Sequence, residues 1–289
     1  MALISMEKSS SDELNLGLEH CHAQTRVERR YQGNQISTLD QIAAEVPVAM
    51  VYNGISHAVM MASPSDLEAF AIGFSLSEGI IQKADEIYEL ELVADPGRVH
   101  QGVEIHISIT SQRAMALKER RRNLTGRTGC GLCGAESLHQ AIRPLAAVKP
   151  TPLVAAQSIE KAVASLADHQ PLQQLTGACH GAAWCDRDGN IQLVREDIGR
   201  HNALDKLLGT LCLSDQDLSD GFVLVSSRAS YEMVHKSSSC GVSTLVAVSA
   251  ASQLAIDMAE ESGLNLIGFA RSGRHVVYHA SQPDADLSE

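Results

Sequence analysis

Residues 222–270 read FVLVSSRASYEMVHKSSSCGVSTLVAVSAASQLAIDMAEESGLNLIGFA, and apolar runs alternate here with helical patterns. Each apolar run is rich in Val, Leu or Ile and has the length of a buried strand: 222–227, 244–249 and 264–270. The two segments between the runs have the length and polarity of helices: 231–239 and 252–262. Buried strands that alternate with helices form a sheet covered on both faces, so this stretch predicts an α/β fold.

The alternation extends upstream to about residue 128, and a different pattern precedes it. Two β-prone runs surround Asn53-Gly54, which is a strong hairpin signal, and residues 63–66 have the pattern of a helix start. We therefore predict a smaller α+β domain over residues 46–127, followed by the α/β domain over residues 128–289. Residues 1–45 are polar and lack a convincing periodicity, and we interpret them as a mobile tail with a short strand near its end.

The composition of this 289-residue chain is that of a globular protein, with 44% hydrophobic and 20% charged residues. Acidic residues outnumber basic ones by 35 to 23 and aromatic residues make up 3%, which argues against general nucleic-acid binding. The N-terminus lacks the pattern of a signal peptide, and no apolar run reaches the roughly 18 residues of a membrane span. The seven cysteines are irregularly spaced, unlike a secreted disulfide framework, so we expect a cytoplasmic protein.

The heptapeptide TGCGLCG at residues 128–134 carries the strongest chemical signal. Cys130 and Cys133 are flanked by glycines, which leave the backbone free to bend and the sulfurs uncovered. Free amides at the start of the helix predicted behind them favour a thiolate. In a chain of net charge −12, a local positive charge precedes the motif, from Lys118, Arg120, Arg121, Arg122 and Arg127. The combination indicates sulfur chemistry by reactive cysteines rather than packing.

Three further segments place polar groups where a ligand would bind: 196–206 (EDIGRHNALDK), 226–230 (SSRAS) and 271–274 (RSGR). Ligands of open α/β sheets bind beyond the carboxyl ends of strands, and the second and third segments directly follow apolar strands. Ser230 also begins a predicted helix, whose free amides attract anions. We predict a pocket for a phosphorylated or nucleotide-like ligand. The absence of Walker A and Gly-x-Gly-x-x-Gly patterns argues against an ordinary nucleotide hydrolase or dinucleotide oxidoreductase.

Segment 196–206 has two interpretations. His201 and Asp205 are four residues apart and would share one face of a helix. Helix capping and a surface ion pair would explain any single one of these side chains. The number of polar groups at one strand-to-helix junction favours a functional site for the segment as a whole.

A zinc site is the alternative for the cysteine motif. Cys179 and His180 could complete a set of three Cys and one His with Cys130 and Cys133. Adjacent residues rarely bind one metal together, however, and a second Cys-x-x-Cys is missing. The remaining thiols of this half lie in apolar or small-residue surroundings and are expected to be core thiols: Cys185, Cys212 and Cys240.

The chain resembles the formate dehydrogenase accessory sulfurtransferase (FdhD) family in four motifs: GCGLCG, EDIGRHNALDK, SSRASYEMVHKS and LIGFARSGR. The resemblance covers nearly everything from about residue 46 onward. Four motifs in this order are more specific than a lone Cys-x-x-Cys, which thioredoxins and zinc proteins also carry. The departures are small and lie outside the cysteine motif: Ser227 where the family often has glycine, Ala251 where it often has proline, and the thiol of Cys179.

The resemblance implies a three-layer α/β/α domain similar to cytidine deaminases and a function in sulfur transfer. Members of the family receive sulfane sulfur from a cysteine desulfurase as a cysteine persulfide. They deliver it to the molybdenum or tungsten of bis-molybdopterin guanine dinucleotide before this cofactor enters formate dehydrogenase. The resemblance also implies a homodimer without a permanently bound cofactor or metal.

The family motifs imply functions for individual residues. Cys130 corresponds to the persulfide carrier, and Cys133, the second cysteine of the motif, is the other candidate catalytic residue. The guanine-dinucleotide-binding loop of the family falls on Phe269, Ala270, Arg271, Ser272, Gly273 and Arg274. We expect further contacts to phosphates, or an organising role in the pocket, from Arg228, Ser230, Lys236, His201, Asp197 and Asp205.

Other classes of function stay open at this point. The first is a metal-dependent hydrolase of the deaminase type, although the chain has no His-x-Glu paired with Pro-Cys-x-x-Cys. The second is a non-catalytic cofactor chaperone, in which the two thiols only secure their loop. A dithiol reductase is the third.

Overall fold

The structure is a computed structural model that describes residues 18–94, 102–122, 145–214, 216–271 and 273–282, with side chains in the second range described to residue 119. The first part forms β1 (His22–Tyr31), β2 (Asn34–Ala43), β3 (Val46–Tyr52), β4 (Ile55–Ala62), α1 (Leu67–Ser77), β5 (Ile87–Val93), β6 (Val103–Ile109) and α2 (Ser111–Arg122). The second part forms α3 (Ala156–Leu166), α4 (Pro171–Thr176), β7 (His180–Asp186), β8 (Ile191–Asp197), α5 (Arg200–Cys212), β9 (Gly221–Val225), α6 (Tyr231–Ser239), β10 (Thr244–Ala247), α7 (Gln253–Ser262), β11 (Asn265–Arg271) and β12 (Arg274–His279). No helix within these ranges is long and apolar enough to cross a membrane.

The larger sheet contains six strands in the order β12-β11-β10-β9-β7-β8. The central strands β9, β10 and β11 are parallel, as the alternating pattern of residues 222–270 predicts. β12 is antiparallel to β11, and β7 is antiparallel to both β8 and β9. The connections from β7 to β8 and from β11 to β12 are too short for a parallel crossover, so the sheet is mixed at both sides.

Both faces of this sheet are covered by helices. On one face, α3 packs Ile159 and Ala162 against strand residues such as Leu224. On the other face, α5, α6 and α7 form a core with the intervening strand residues, including Leu204, Leu208, Met233, Met258, Val223 and Leu245. Successive residues of a strand point to opposite faces, so the apolar runs supply both cores. The predicted α/β fold with a sheet between two helical layers is confirmed.

The smaller sheet has the strand order β4-β3-β6-β5, with β3 and β6 parallel and the other pairs antiparallel. Asn53 and Gly54 join β3 to β4, and both have positive φ, as a tight hairpin turn requires. This confirms the hairpin predicted at these residues. Phe70 of α1 packs with Met50 and Ile105 of the sheet in a core of its own.

The two units meet where α1 crosses α5. A Cβ atom on Gly73 would lie 1.8 Å from the backbone oxygen of Asp205, and one on Gly209 would lie 1.9 Å from that of Ala69. Glycine at both positions lets the two helix backbones come closer than side chains normally permit. Most residues of α1 are buried, so this helix is packed both on its own sheet and on α5.

Residues 22–43 carry more structure than the predicted tail. β1 and β2 pair antiparallel along ten residues each and form a separate two-stranded sheet. Cys21 at its base is 1% exposed and packs with Leu172 and Cys179. The side chains of the hairpin are mostly exposed on both faces, so its sequence lacks the alternation by which a half-buried strand is recognised.

Candidate functional site

Four strands of the larger sheet end at one edge, which we call the carboxyl edge. β8 and β9 run in the same direction because β7 is antiparallel to both, and β9, β10 and β11 are parallel. The backbone N–H of Ser249 donates to the oxygen of Ser227 at 3.3 Å, and that of Phe269 donates to the oxygen of Ser249 at 2.9 Å. The segments predicted to bind a ligand therefore adjoin one another. The loop after β10, which the sequence did not single out, lies between two of them.

Phe269 has a backbone conformation that is unusual for an aromatic residue, with φ +49°. The residues on both sides of Phe269 restrict its backbone, since Ala270 is fully buried and a Cβ on Gly268 would lie 2.7 Å from the ring of Tyr278. The Phe269 side chain itself is 37% exposed at the carboxyl edge. Such left-handed residues cost about 1–3 kcal/mol and cluster at ligand-binding sites. The geometry thus presents an exposed ring on a tightly held backbone.

Three arginines at the carboxyl edge are exposed: Arg228, Arg271 and Arg274. Within the described part of the chain, none of them forms an ion pair with a carboxylate. Ser230 is the N-cap residue of α6, and its buried hydroxyl has no hydrogen-bond partner among the described residues. Free helix amides, an unpartnered hydroxyl and unpaired guanidinium groups together favour an anionic ligand. Ser272 lies outside the described residues, and Gly273 has φ +73° in the turn before β12.

His201 and Glu232 join the starts of α5 and α6 at the same edge. The Nε2 atom of His201 lies 2.8 Å from Oε2 of Glu232. The hydrogen bond from His201 lowers the pKa of Glu232 against the opposing effect of partial burial. His180, which is paired with Asp197 between β7 and β8, lies nearby, and burial followed by the charge of Arg200 lowers its pKa. A carboxylate and two imidazoles are therefore available here to accept or donate protons.

Asp197 has a structural environment instead of an open one. Its carboxylate is fully buried and lies 2.7 Å from the buried ammonium of Lys206. Asp197 also accepts hydrogen bonds from the backbone N–H of Ser63 at 2.9 Å and of Gly199 at 2.8 Å. The Lys206 ammonium donates in turn to the backbone oxygen of Ser63 at 3.0 Å. These hydrogen bonds and the ion pair connect the segment between β4 and α1 to the junction of β8 and α5.

Lys236 forms a second buried network between the units. Its ammonium donates to Asp205 at 2.9 Å, to Glu78 at 3.2 Å and to the hydroxyl of Ser77 at 3.0 Å. Burial alone would lower the pKa of Lys236, but the charges of Asp205 and Glu78 outweigh it and raise the pKa. His201 and Asp205 thus contact Glu232 and Lys236, which are four residues apart on α6, so the prediction that they share a helix face is confirmed.

The structure assigns Asp197 and Lys236 an internal role in place of the predicted cofactor contacts. An ammonium has three N–H groups, and the two carboxylates and the hydroxyl around Lys236 use all of them, so none is left for a phosphate. Asp197 is acceptor-only and negatively charged, which makes it a poor neighbour for phosphate. The sequence shows these residue types but not that α1 covers them.

Sequence reasoning missed Glu232 as the partner of His201, and it named Glu196 only as part of segment 196–206, without its capping role. Glu232 forms the ion pair with His201, and its place in the first turn of the helix that Ser230 begins is the only local signal for it. Glu196 accepts hydrogen bonds from the backbone N–H groups of Leu172 at 2.9 Å and Gln173 at 2.8 Å. It therefore caps the short helix α4, which the sequence did not predict.

Cys130 and Cys133 lie outside the described residues. Cys179 is 7% exposed, and burial raises its pKa to about 11, which is unlike a reactive thiol. Among the residues that the structure describes, no group of three or more His, Cys, Asp or Glu side chains converges as metal ligands do. The zinc hypothesis includes Cys130 and Cys133 and so stays a prediction.

Comparison with known proteins gives a consistent result. The model of the FdhD/NarQ family matches residues 43–283. The sulfur carrier protein FdhD of Cupriavidus necator is 52% identical over 257 residues, which make up 89% of this chain and 88% of that protein. A crystal structure of a Desulfotalea psychrophila protein described as a formate dehydrogenase accessory protein matches the fold with a TM-score of 0.66, at 24% identity, over 90% of this chain and 97% of that one. By its motifs and by these matches, this chain belongs to the FdhD/NarQ family.

Proposed function

We propose that this chain is a cytoplasmic sulfurtransferase that carries persulfide sulfur on Cys130 from a cysteine desulfurase to bis-molybdopterin guanine dinucleotide, for formate dehydrogenase maturation. A relative of 52% identity is named a sulfur carrier protein, which supports transfer of sulfur. The observation that carries the proposal is the carboxyl edge, which bears the exposed ring of Phe269, the Ser230 hydroxyl that has no partner among the described residues, and three exposed arginines. An anionic, aromatic cargo such as a guanine dinucleotide fits these groups.

The transfer step needs one nucleophile and a donor persulfide. The thiolate of Cys130 attacks the terminal sulfur of the donor, the sulfur–sulfur bond of the donor breaks, and the donor leaves as a thiolate. Cys130 is then a persulfide. When its outer sulfur passes to the metal of the cargo, the sulfur–sulfur bond would break, Cys130 would leave as a thiolate, and the reduced cargo would supply the two electrons that convert the sulfur to sulfide. Basic residues ahead of the motif favour the thiolate in both steps: Lys118, Arg120, Arg121, Arg122 and Arg127.

The carboxyl edge would bind the cargo through two kinds of contact. Guanidinium groups form bidentate hydrogen bonds to phosphate, and the free amides at the start of α6 add to the positive potential. The exposed ring of Phe269 offers a flat surface on which a guanine base can stack. The ion pair of His201 and Glu232 lies at the start of the same helix and is placed to accept or return a proton during transfer.

Mass spectrometry tests the carrier function directly. The full chain is incubated with a cysteine desulfurase and cysteine, then digested with trypsin without reductant. We expect a gain of one sulfur on the tryptic peptide of residues 128–161, lost in Cys130→Ala and retained in the matched variant Cys185→Ala. A gain spread over all cysteine peptides, or none on this one, would contradict the proposal.

A second experiment tests the carboxyl edge. The paired variant Arg271→Ala/Arg274→Ala should still accept sulfur from the desulfurase but should activate formate dehydrogenase in cells at least about tenfold less, because two charged contacts are lost. Arg26→Ala removes an exposed arginine from the separate hairpin and serves as the matched control. Equal activation by the edge variant and the control would show that the cargo binds elsewhere.

The same variants separate the alternative functions. Full activation of formate dehydrogenase by Cys130→Ala would mean that the chain is a chaperone without a sulfur step. Stoichiometric zinc in the purified protein, lost on mutation of Cys130 or Cys133, would favour a deaminase-type hydrolase. Catalytic reduction of model disulfides would favour a dithiol reductase.

A further inference from the structure

A second pair of thiols lies on the opposite side of α5 and α6 from the carboxyl edge, at the ends of the two helices. Cys212 is the last residue of α5, and Cys240 is the residue that caps the end of α6. Both cysteines are free and partly exposed, and each thiol shifts the pKa of the other. The sequence predicts both as unrelated core thiols, and their contact arises only because α5 and α6 end side by side.

The two thiols share a cavity. Cys212 and Cys240 both line a space of about 460 Å³ between the two units. Its other walls come mainly from the segment after α1 and from the segment after α5: Gln82, Lys83, Ala84, Ser214, Gln216 and Asp217. A cavity of this size admits small polar molecules, so a soluble oxidant can reach the two cysteines that line it.

The pair differs from the other cysteines that the structure describes. Cys21, Cys179 and Cys185 are buried, and burial raises the pKa of each thiol. The hydrogen bond with Cys240 instead lowers the pKa of Cys212, while the same contact and burial raise the pKa of Cys240. One thiol of the pair is thus suited to attack as a thiolate, and the other keeps its proton until it is needed.

We propose that Cys212 and Cys240 are a redox-active dithiol, which a small hydroperoxide such as hydrogen peroxide converts to an intramolecular disulfide. The Cys212 thiolate attacks a peroxide oxygen and breaks the O–O bond, which gives a sulfenic acid and hydroxide. The sulfur of Cys240 then attacks the sulfenic sulfur, and the S–O bond breaks. The hydroxyl group leaves with the Cys240 proton as water. The two thiols lose two electrons, and the peroxide gains them.

Closing the bond requires a local shift at the ends of the two helices. A disulfide requires the sulfurs to move from hydrogen-bond contact to about 2.05 Å. Gly241 follows Cys240 with φ +82° and open space around it, so the backbone at the end of α6 can adjust. The bond would tie together two helices whose opposite ends carry His201 and Glu232, and a reductant would release it.

Peptide mapping of the full chain tests this proposal. Trypsin places Cys212 alone in residues 207–228 and Cys240 alone in residues 237–271, while Cys130 and Cys133 share residues 128–161. After treatment with hydrogen peroxide and alkylation, we expect the first two peptides to be linked with the loss of two hydrogens. Dithiothreitol should restore both alkylated peptides. The link should persist in Cys185→Ala and disappear in Cys212→Ala and in Cys240→Ala.

The wild-type map decides the result even if a cysteine variant folds poorly. Full alkylation of both peptides, under conditions in which the peptide of residues 128–161 becomes oxidised, would overturn the proposal. Linkage of either peptide to a different cysteine, or oxidation of Cys212 to a sulfinic acid without linkage, would overturn it as well. Sulfur loading of residues 128–161 is read from a separate peptide, so failure here is distinguishable from failure of the proposed function.

Discussion

At the scale of the residue, Phe269 links backbone strain to binding. Its left-handed φ of +49° is one that glycine adopts freely and other residues adopt at a cost. We therefore expect Phe269→Gly to be more stable than Phe269→Ala by about 1 kcal/mol, the reverse of the usual order for these two residues. Urea unfolding of the two variants measures this difference. Equal stability of the two variants would show that the backbone at Phe269 is not strained. Both variants lack the ring and should activate formate dehydrogenase poorly.

The Glu232 carboxylate should make the free energy of unfolding depend on pH. Because His201 lowers its pKa below the ordinary value of 4.5, ionised Glu232 stabilises the folded state above that pH. The contribution is lost as the pH falls through the lowered value of the folded state. The side chain is 39% exposed, so the expected effect is about 0.5 kcal/mol.

Unfolding of Glu232→Gln in urea at a series of pH values measures this effect. The variant should be less stable than the wild type near neutral pH, and the two should converge well below pH 4.5. Glu260→Gln, on the exposed side of α7, is the control and should follow the wild type throughout. A constant difference between Glu232→Gln and the wild type would show that ionisation of Glu232 contributes nothing.

At the scale of the element, the crossing of α1 and α5 depends on Gly209. Alanine is intrinsically the better helix former by about 1 kcal/mol. Its Cβ would nevertheless lie 1.9 Å from a backbone oxygen of α1, which cannot rotate away as a side chain could. We expect Gly209→Ala to lower the free energy of unfolding by about 3 kcal/mol, measured by urea unfolding. Thr210→Ala, one position along, should change it by about 0.5 kcal/mol or less, and a similar cost at both positions would refute the close crossing.

A helix, strand or turn can be predicted from the sequence where its local pattern is compatible with only one structure. Asn53-Gly54 accepts positive φ at both positions, and the alternating runs of residues 222–270 can be buried only between helices. The β1–β2 hairpin and α4 could not be predicted in this way. The hairpin buries little, and α4 is six residues long and is capped by Glu196, which is distant in sequence.

At the scale of the whole molecule, the sequence predicts where two loop segments lie in the sheet better than it predicts the surroundings of single side chains. A motif that follows a strand must lie at the carboxyl edge whatever the packing, so segments 226–230 and 271–274 were placed correctly. Asp197 and Lys236 depend instead on the position of α1, which comes from a distant part of the chain and buries them. The contact of Cys212 with Cys240 likewise exists only in the packed structure.

The two buried networks predict that the units unfold together. Lys206 contacts Ser63 at 3.0 Å and Asp205 contacts Ser77 at 2.7 Å, so opening the interface would leave buried charges without their partners. Trp184, the only tryptophan, lies 2% exposed in β7 of the larger unit and reports on that unit by its fluorescence. Ile105→Ala removes a fully buried side chain from the smaller unit, at a cost of about 3 kcal/mol.

If α1 and these networks couple the units, Ile105→Ala should shift the urea midpoint of Trp184 fluorescence as far as that of far-UV circular dichroism. The two transitions should also coincide in the wild type. The matched variant Val223→Ala truncates a buried strand residue of the larger unit and should shift both signals in the same way. The opposite outcome has two parts: the Trp184 transition of Ile105→Ala stays at the wild-type midpoint, and circular dichroism shows an earlier loss of structure. The smaller unit would then unfold alone, and the interface would contribute little to the stability of the larger unit.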